Sequence, residues 1–331
     1  MPADPMKTHV VKPLAHTAPL VGCRFDPTGR YVFAGGEDNK IVRWELATGT
    51  KAEFIGHESW IHSLVFHANG ETLISGGYDG RLIWWPATAE KPAPVKTVEA
   101  HQGWIRAMVV SPDGKLLATC GNDLKVKLWN IADGTLLREF IGHERHVYNV
   151  AFHPDGKQLA SGDLTAKFIH WEVDTGKRVR DFVIASMTKY DAGFGADYGG
   201  PYAMTFTADG SRLLAGGITN VSNAFAGVGN PIIVEIDWAA GKDAITHLTK
   251  GSIAGKIFGL VSHPEGFVVG ATGGGGGGHL FFWKPDSKDE FHTLNLGNTC
   301  RDLALHPDNL QLATCHHDKN VRISLMAPKA G

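Results

Sequence analysis

Residues 57–85 read HESWIHSLVFHANGETLISGGYDGRLIWW. Three short runs, IHSLVF, TLISGG and RLIWW, are rich in β-branched and aromatic residues, and the turn formers HANG and YDG separate them. Apolar runs of this length between Gly, Asn and Asp punctuation read as strands joined by tight hairpins. His57 opens the stretch and Trp85 closes it 28 residues later; Asp79 lies 22 residues after the histidine and six before the tryptophan.

The same frame returns along the chain. Residues 16–44, 101–129 and 143–171 each begin with His and end with Trp at the same 28-residue spacing, and they carry the turns DPTG, SPDG and HPDG. Asp38 and Asp123 repeat the Asp79 position, whereas the fourth unit has Thr165 there and so lacks the carboxylate; the first unit has Ala34 where the others have a hydroxyl. Past the Trp come another turn, ATG at 47–49 or ADG at 132–134, and one more apolar run. That makes four strands per unit, no helix of consequence, and histidine-to-histidine steps of 41, 44 and 42 residues. A period near 42 with four strands is that of a propeller blade, and the expected fold class is all-β.

These units resemble WD40 repeats. Gly56-His57 and Gly142-His143 match the Gly-His step of that family and Ala100-His101 is a variant of it. The residues after the four Trp are Glu45, Pro86, Asn130 and Glu172, so the Trp-Asp dipeptide itself is absent and the spacing carries the match. The second half diverges further. Ile236 and Ser324 stand at two Trp positions, Trp283 keeps the third, and Asp318 keeps the Asp. Third strands are expected to end near 44, 85, 129, 171, 236, 283 and 324, giving one seven-bladed domain over residues 1–331. Only seven residues follow Ser324. The resemblance therefore implies that residues 8–14, THVVKPL, supply the closing strand of the last blade and remove its open edge.

The resemblance also implies a structural tetrad in which buried His, hydroxyl, carboxylate and indole N–H satisfy one another. The matching sets are His57, Ser75, Asp79 and Trp85, and His101, Thr119, Asp123 and Trp129. A Ser-His-Asp nucleophile would need exposure and an oxyanion hole, and a catalytic set has no reason to recur blade after blade. Of the 17 histidines, His67, His153, His263 and His306 share one hairpin-turn position, and no pair has a metal-motif spacing. No metal and no cofactor are expected.

The run ATGGGGGGHLFFW at 271–283 places six consecutive glycines before an apolar strand. A P-loop would require Gly-Lys-Ser/Thr at its end and a dinucleotide fold a helix after it. The repeat pattern continues on both sides, so the run reads as a loose hairpin tip between the second and third strands of blade six.

Charge is nearly balanced, 32 basic against 34 acidic residues, which gives no reason to expect nucleic acid or an anionic membrane as partner. No stretch reaches 18 apolar residues and the N-terminus has no signal-peptide pattern. Four cysteines without a C-x-x-C pair read as reduced, packed thiols. A cytoplasmic protein, monomeric on its own, is the expectation.

In propellers of this family the second-to-third-strand loops and the inter-blade loops open on one face, the top. Three departures from regular spacing fall in those loops: residues 186–201, residues 220–230 and the glycine run. Top-face contacts in the family come from the third and fifth residues after the His and from the residue before the Asp. Those positions, some by alignment alone, are Trp60, His62, Tyr78, Trp104, Arg106, His146, Tyr148, Tyr202, Arg301 and His317. Trp, Tyr and Arg dominate binding hot spots. The set points to a non-catalytic scaffold that docks a protein or peptide with apolar and acidic groups. The other reading is a propeller enzyme, a lactonase-like hydrolase with a metal or an acid–base pair at the central channel. Glu37 is the one obvious acid in the mapped set, where such chemistry wants several.

Overall fold

The computed structural model describes residues 2–223, 228–251 and 253–329. Seven four-stranded antiparallel sheets carry the chain. The first four use Leu20–Phe25, Tyr31–Gly36, Lys40–Glu45 and Lys51–Ile55; Ile61–Phe66, Thr72–Gly77, Arg81–Pro86 and Lys96–Glu99; Ile105–Val110, Leu116–Gly121, Lys125–Asn130 and Leu136–Ile141; and Val147–Phe152, Gln158–Asp163, Lys167–Glu172 and Arg178–Val183. Blades five and six follow the same order, as Ala203–Phe206, Arg212–Asn223, Val228–Asp237 and Lys242–His247, and as Lys256–Ser262, Val268–Gly273, His279–Trp283 and His292–Asn295. Among the described residues the helical segments are two single turns, Pro5–Lys7 and Ala185–Met187.

The seventh blade is made from both ends of the chain. Cys300–Leu305, Gln311–His316 and Asn320–Met326 are completed by Thr8–Ala15, which pairs antiparallel with the last of them from Thr8 opposite Met326 to Ala15 opposite Asn320. Asp4 N adds a bond to Met326 O at 2.8 Å. Closure leaves the ring of blades without a free end.

Packing lies between sheets. Phe33 and Phe54 of blade one meet Ile83 and Trp85 of blade two in one layer, and Leu14, Val321 and Ile323 of blade seven meet Val32, Val42 and Trp44 of blade one in another. Each middle strand is thus covered on both faces, which is why Tyr31–Gly36 is buried at every residue and reads as a continuous apolar run instead of an alternating one.

The turn between the first two strands has a left-handed residue at the same position in all seven blades, although blade six closes its turn one residue sooner, from His263 N to Phe267 O. Gly29, Gly70, Gly114, Gly156, Gly210 and Gly266 have φ between 69° and 82°, and Asn309 takes the seventh position at 60°. This left-handed conformation favours Gly and then Asn, which accounts for the DPTG, HANG and HPDN spellings. The turn histidines clip neighbouring blades together: His153 Nε2 lies 3.1 Å from Gly210 O, His263 Nε2 2.8 Å from Asn309 O, and His306 Nε2 2.9 Å from Gly29 O.

Three expectations are corrected. Residues 186–201 hold structure of their own, a hairpin of Thr188–Asp191 and Ala196–Gly199 standing above blade five. The 220–230 insert is largely the extension of two strands, to Asn223 and from Val228; residues 224–227 of it lie outside the described residues. The glycine run does form the tip between Val268–Gly273 and His279–Trp283, exposed at Gly274, Gly275 and Gly276, but its two ends are packed and not loose. Gly276 N donates to Ala254 O at 2.7 Å, and a Cβ at Gly273 or Gly278 would stand 2.2 Å from Cys300 O or 2.0 Å from Asn298 O. Neighbouring backbone crosses too closely there for a side chain.

Candidate functional site

The tetrad residues form closed networks beneath the top face. Trp85 Nε1 donates to Ser75 Oγ at 2.8 Å, Ser75 Oγ lies 2.7 Å from His57 Nε2, and His57 Nδ1 lies 2.9 Å from Asp79 Oδ2. An indole N–H can only donate. A carboxylate can only accept, so the His57 Nδ1–H faces Asp79; in the neutral ring Nε2 is then the acceptor of the Ser75 hydroxyl. Asp79 also accepts from the N–H groups of Glu58 and Arg81, which fixes the turn before the third strand. Blade three repeats this with His101 Nε2 2.7 Å from Thr119 Oγ1, His101 Nδ1 2.8 Å from Asp123 Oδ1, and Trp129 Nε1 bonded to Thr119. Ser75 and Thr119 are fully buried, so neither hydroxyl faces a substrate.

Blade four corrects the sequence reading. It does not lack the carboxylate: Asp163 supplies it from two residues earlier, with Oδ2 2.8 Å from His143 Nδ1. Ser161 and Trp171 complete the network, and Thr165 donates its hydroxyl to Asp163 Oδ1 at 2.7 Å. In blade one, where Ala34 offers no hydroxyl, the His16 ring is turned: Nε2 meets Asp38 at 2.9 Å and Nδ1 meets Lys51 Nζ at 3.0 Å.

The face above these networks is organised by a repeated irregularity. In six blades the first strand slips by one residue against the second, and the residue skipped is Val21, His62, Arg106, Tyr148, Phe258 or Arg301. A bulge of this kind re-aims a side chain. In blade five Tyr202 stands directly before the first strand and its N–H bonds Gly216 O at 2.8 Å. His62, Arg106, Tyr202, Phe258 and Arg301 line a central channel of about 480 Å³.

Most of the residues expected on the top face meet there. Tyr78 stacks on Trp104 with centroids 4.0 Å apart and planes 1° from parallel; Trp60 and His62 flank it at 6.0 and 5.7 Å. The Arg106 guanidinium lies 4.6 Å from the Trp104 ring and 4.7 Å from the Tyr148 ring, and its Nε donates to Asn122 Oδ1 at 2.8 Å. Tyr148 meets Tyr202 edge-on at 5.3 Å, and Tyr202 meets Phe258 at 5.6 Å. Trp60 and Trp104 remain 38% and 41% exposed, unusual for tryptophan on a surface with no covering element. Arg301 sits apart from the rings, 3.3 Å from Glu37. His146 and His317 are exposed and outside the ring contacts.

Sequence reasoning missed Lys256 and Phe258, because blade six has no leading His from which to count. Lys256 Nζ lies 3.1 Å from Tyr198 Oη and 3.2 Å from Tyr202 Oη. Burial, then Arg301 and Arg106, push its ammonium down to about 8. Burial, then the same two arginines, push His62 down to about 4. In the channel Asp302 is held by the N–H groups of Cys23 and Leu303, and burial raises its carboxyl above the usual range. Among the described residues no group of three or more His, Cys, Asp or Glu could hold a metal ion. Nor is any helix long and apolar enough to cross a membrane.

The WD40 family model, described as WD domain, G-beta repeat, matches residues 8–45, 49–86, 92–130, 134–171 and 290–323, more than half the chain. The chain belongs to the WD40 family. The matched segments fall on blades one to four and on blade seven; the two blades with the lengthened strands and the glycine turn lie between them. The chain is similar to an uncharacterized WD repeat-containing protein of Schizosaccharomyces pombe, 28% identical over 147 residues that cover 41% of this chain and 40% of that one. It is also similar to the nuclear distribution protein PAC1 of Gibberella zeae, 34% identical over 89 residues covering 26% and 19%. A Lissencephaly-1 homolog of Heterostelium pallidum is 44% identical over 57 residues, covering 17% and 13%. The matched stretches thus span less than half the length of these relatives.

Proposed function

We propose that this WD40 propeller is a single-domain, non-catalytic scaffold that docks a protein or peptide on its top face, across blades two to four. The observation that carries the reading is the exposed stack of Trp60, Tyr78 and Trp104 running into Arg106 and Tyr148. Rigid rings offer large contact area at little entropic cost, and a guanidinium between two rings is held ready for an acidic group. Family membership supports an interaction role in general, as do relatives whose names include nuclear distribution proteins. Two carboxylates line the channel and both are taken up by backbone N–H groups, Asp302 by those of Cys23 and Leu303 and Asp26 by those of Thr28 and Tyr31, where the catalytic alternative would want a free acid–base pair or a metal cluster. Four buried free thiols support a reducing, cytoplasmic setting. Balanced charge supports a protein partner over nucleic acid, and the closed ring of blades supports a chain that needs no second copy.

Affinity capture with the intact chain and with the Trp60→Ala/Trp104→Ala double variant tests the reading. Proteins held by the first and released by the second are expected. The same proteins bound equally by a folded double variant would sink it.

A further inference from the structure

Lys256 begins the first strand of blade six, Tyr202 precedes the first strand of blade five, and Tyr198 comes from the hairpin above blade five. The three polar ends meet. The ammonium stands 3.1 and 3.2 Å from the two phenol oxygens, with the Tyr202, Tyr198 and Phe258 ring centroids 4.3, 5.3 and 5.3 Å away. An ammonium has three donors and no acceptor, so both phenols accept from it. One ammonium N–H and the two phenol O–H groups are left, and among the described residues none of them is bonded to a carboxylate or a backbone carbonyl.

Charge points the same way. Among the described residues Lys256 and Arg106 have no carboxylate within ion-pair distance, and Arg301 is held by Glu37 alone. Donors and cations that converge in a half-buried place with no carboxylate among them can make charge-assisted bonds to an anionic oxygen. We infer that the Lys256, Tyr198 and Tyr202 cluster is an oxyanion site, which receives a carboxylate or phosphate monoester presented by the docked partner. The inference rests on the top-face reading and adds what the partner must carry: besides the apolar residue that covers the Trp60–Tyr78–Trp104 stack, an anionic oxygen group at the far end of the row that runs through Arg106, Tyr148 and Tyr202. Two oxygens of such a group accept the free N–H and O–H together, as charge-assisted bonds. The blade-five hairpin becomes part of the site; it is held by Arg145 on Asp197 at 2.8 Å, by Lys189 on Val221 O at 2.6 Å and by the packing of Tyr198 against Ile218 and Val221.

Sodium phosphate and sodium acetate, each titrated into the full chain at constant ionic strength, test this. The readout is the Lys256 side-chain methylene resonance, assigned by its loss in Lys256→Arg. A saturable shift with either salt is expected, weakened roughly threefold or more by Tyr198→Phe, which removes one O–H and keeps the ring. Saturation by phosphate alone assigns a phosphate monoester; saturation by both admits a carboxylate. A shift that stays linear for both salts, or saturates identically in a Tyr198→Phe protein of unchanged melting temperature, overturns the site. Capture lost in Trp60→Ala/Trp104→Ala but intact in Tyr198→Phe/Lys256→Met would also overturn it and leave the top-face reading standing. Capture unaffected by either pair would overturn the top-face reading, and with it the partner as source of the anion.

Discussion

Asp163 lies 2.8 Å from His143 Nδ1, although it stands 20 residues after its histidine where Asp79 and Asp123 stand 22 after theirs. The carboxylate reaches the same place from the end of the second strand instead of from the turn. Asp163→Ala leaves His143 and the Thr165 N–H without their acceptor, at an expected cost of about 1–3 kcal/mol in a urea melt. Thr165→Asp, which would restore the usual spelling, is expected to destabilise, because its carboxylate would meet Asp163 Oδ1 where the threonine now donates at 2.7 Å. A neutral or stabilised Thr165→Asp would refute this account of blade four.

Deleting residues 2–14 removes nearly all of the strand that completes blade seven. The exposed edge of Asn320–Met326 then has no partner, and Leu14 leaves the layer it shares with Val321 and Trp44. The melting temperature is expected to fall by many degrees in calorimetry. A truncated chain that melts with the full one would show the closure to be dispensable.

His170 is buried beside Trp238, centroids 4.5 Å apart, and neither ring nitrogen has a hydrogen-bond partner. Burial, then Arg180, push it down to about 4 from the ordinary 6.5. With the folded value below the unfolded one, the unfolded chain takes the proton first as the solution is acidified. The contribution of His170 to stability is therefore present above about 6.5 and is lost as pH falls towards 4. His170→Leu, of similar volume, is expected to match or exceed the parent's melting temperature at pH 7 and to flatten part of the loss between pH 6.5 and 4. Parallel melts at several pH values decide it; an unchanged acid slope would mean that His170 does not titrate with unfolding.

Trp60→Ala/Trp104→Ala is expected to cost little in melting temperature, because both rings are more than a third exposed and neither belongs to the buried clusters that join blade two to its neighbours. It is expected to weaken partner binding by about 2 kcal/mol or more if the stack is a hot spot. Calorimetry and a binding titration on the same preparation separate the two effects. A large loss of stability would reassign both tryptophans to the framework.

The seven-bladed architecture was legible because its signals are local and periodic. A Gly or Asn at a left-handed turn repeats in all seven blades, and a Trp six residues after an Asp in three of them, whatever the solvent-facing residues are. The stack was legible too, since Trp60, Tyr78 and Trp104 stand at fixed offsets from an intact His and Asp. Asp163 was not, because counting assumes that the carboxylate comes from the turn while the histidine needs only an acceptor within reach. Lys256 and Phe258 escaped because blade six spells no histidine from which to count, and Tyr198 because its hairpin is folded by contacts with Arg145 and Val221 that lie far away in the chain. The packed glycine turn was missed for the same reason: Ala254 and Asn298 crowd it from outside its own hairpin.

The pairing of Thr8 with Met326 has a mechanical side. The two strands that join the chain's ends run antiparallel, and a pull on both ends would load the Asp4 N to Met326 O bond and then the Thr8–Met326 pair, the first rung of that ladder. Tension applied there loads the rungs singly, in order, down to Ala15 and Asn320, instead of shearing them all at once. A tether fixed to both ends would open the ring like a zipper at low force, with blades one to six still folded. A tether that entered near Ala15 and Met326 would meet the whole ladder in parallel.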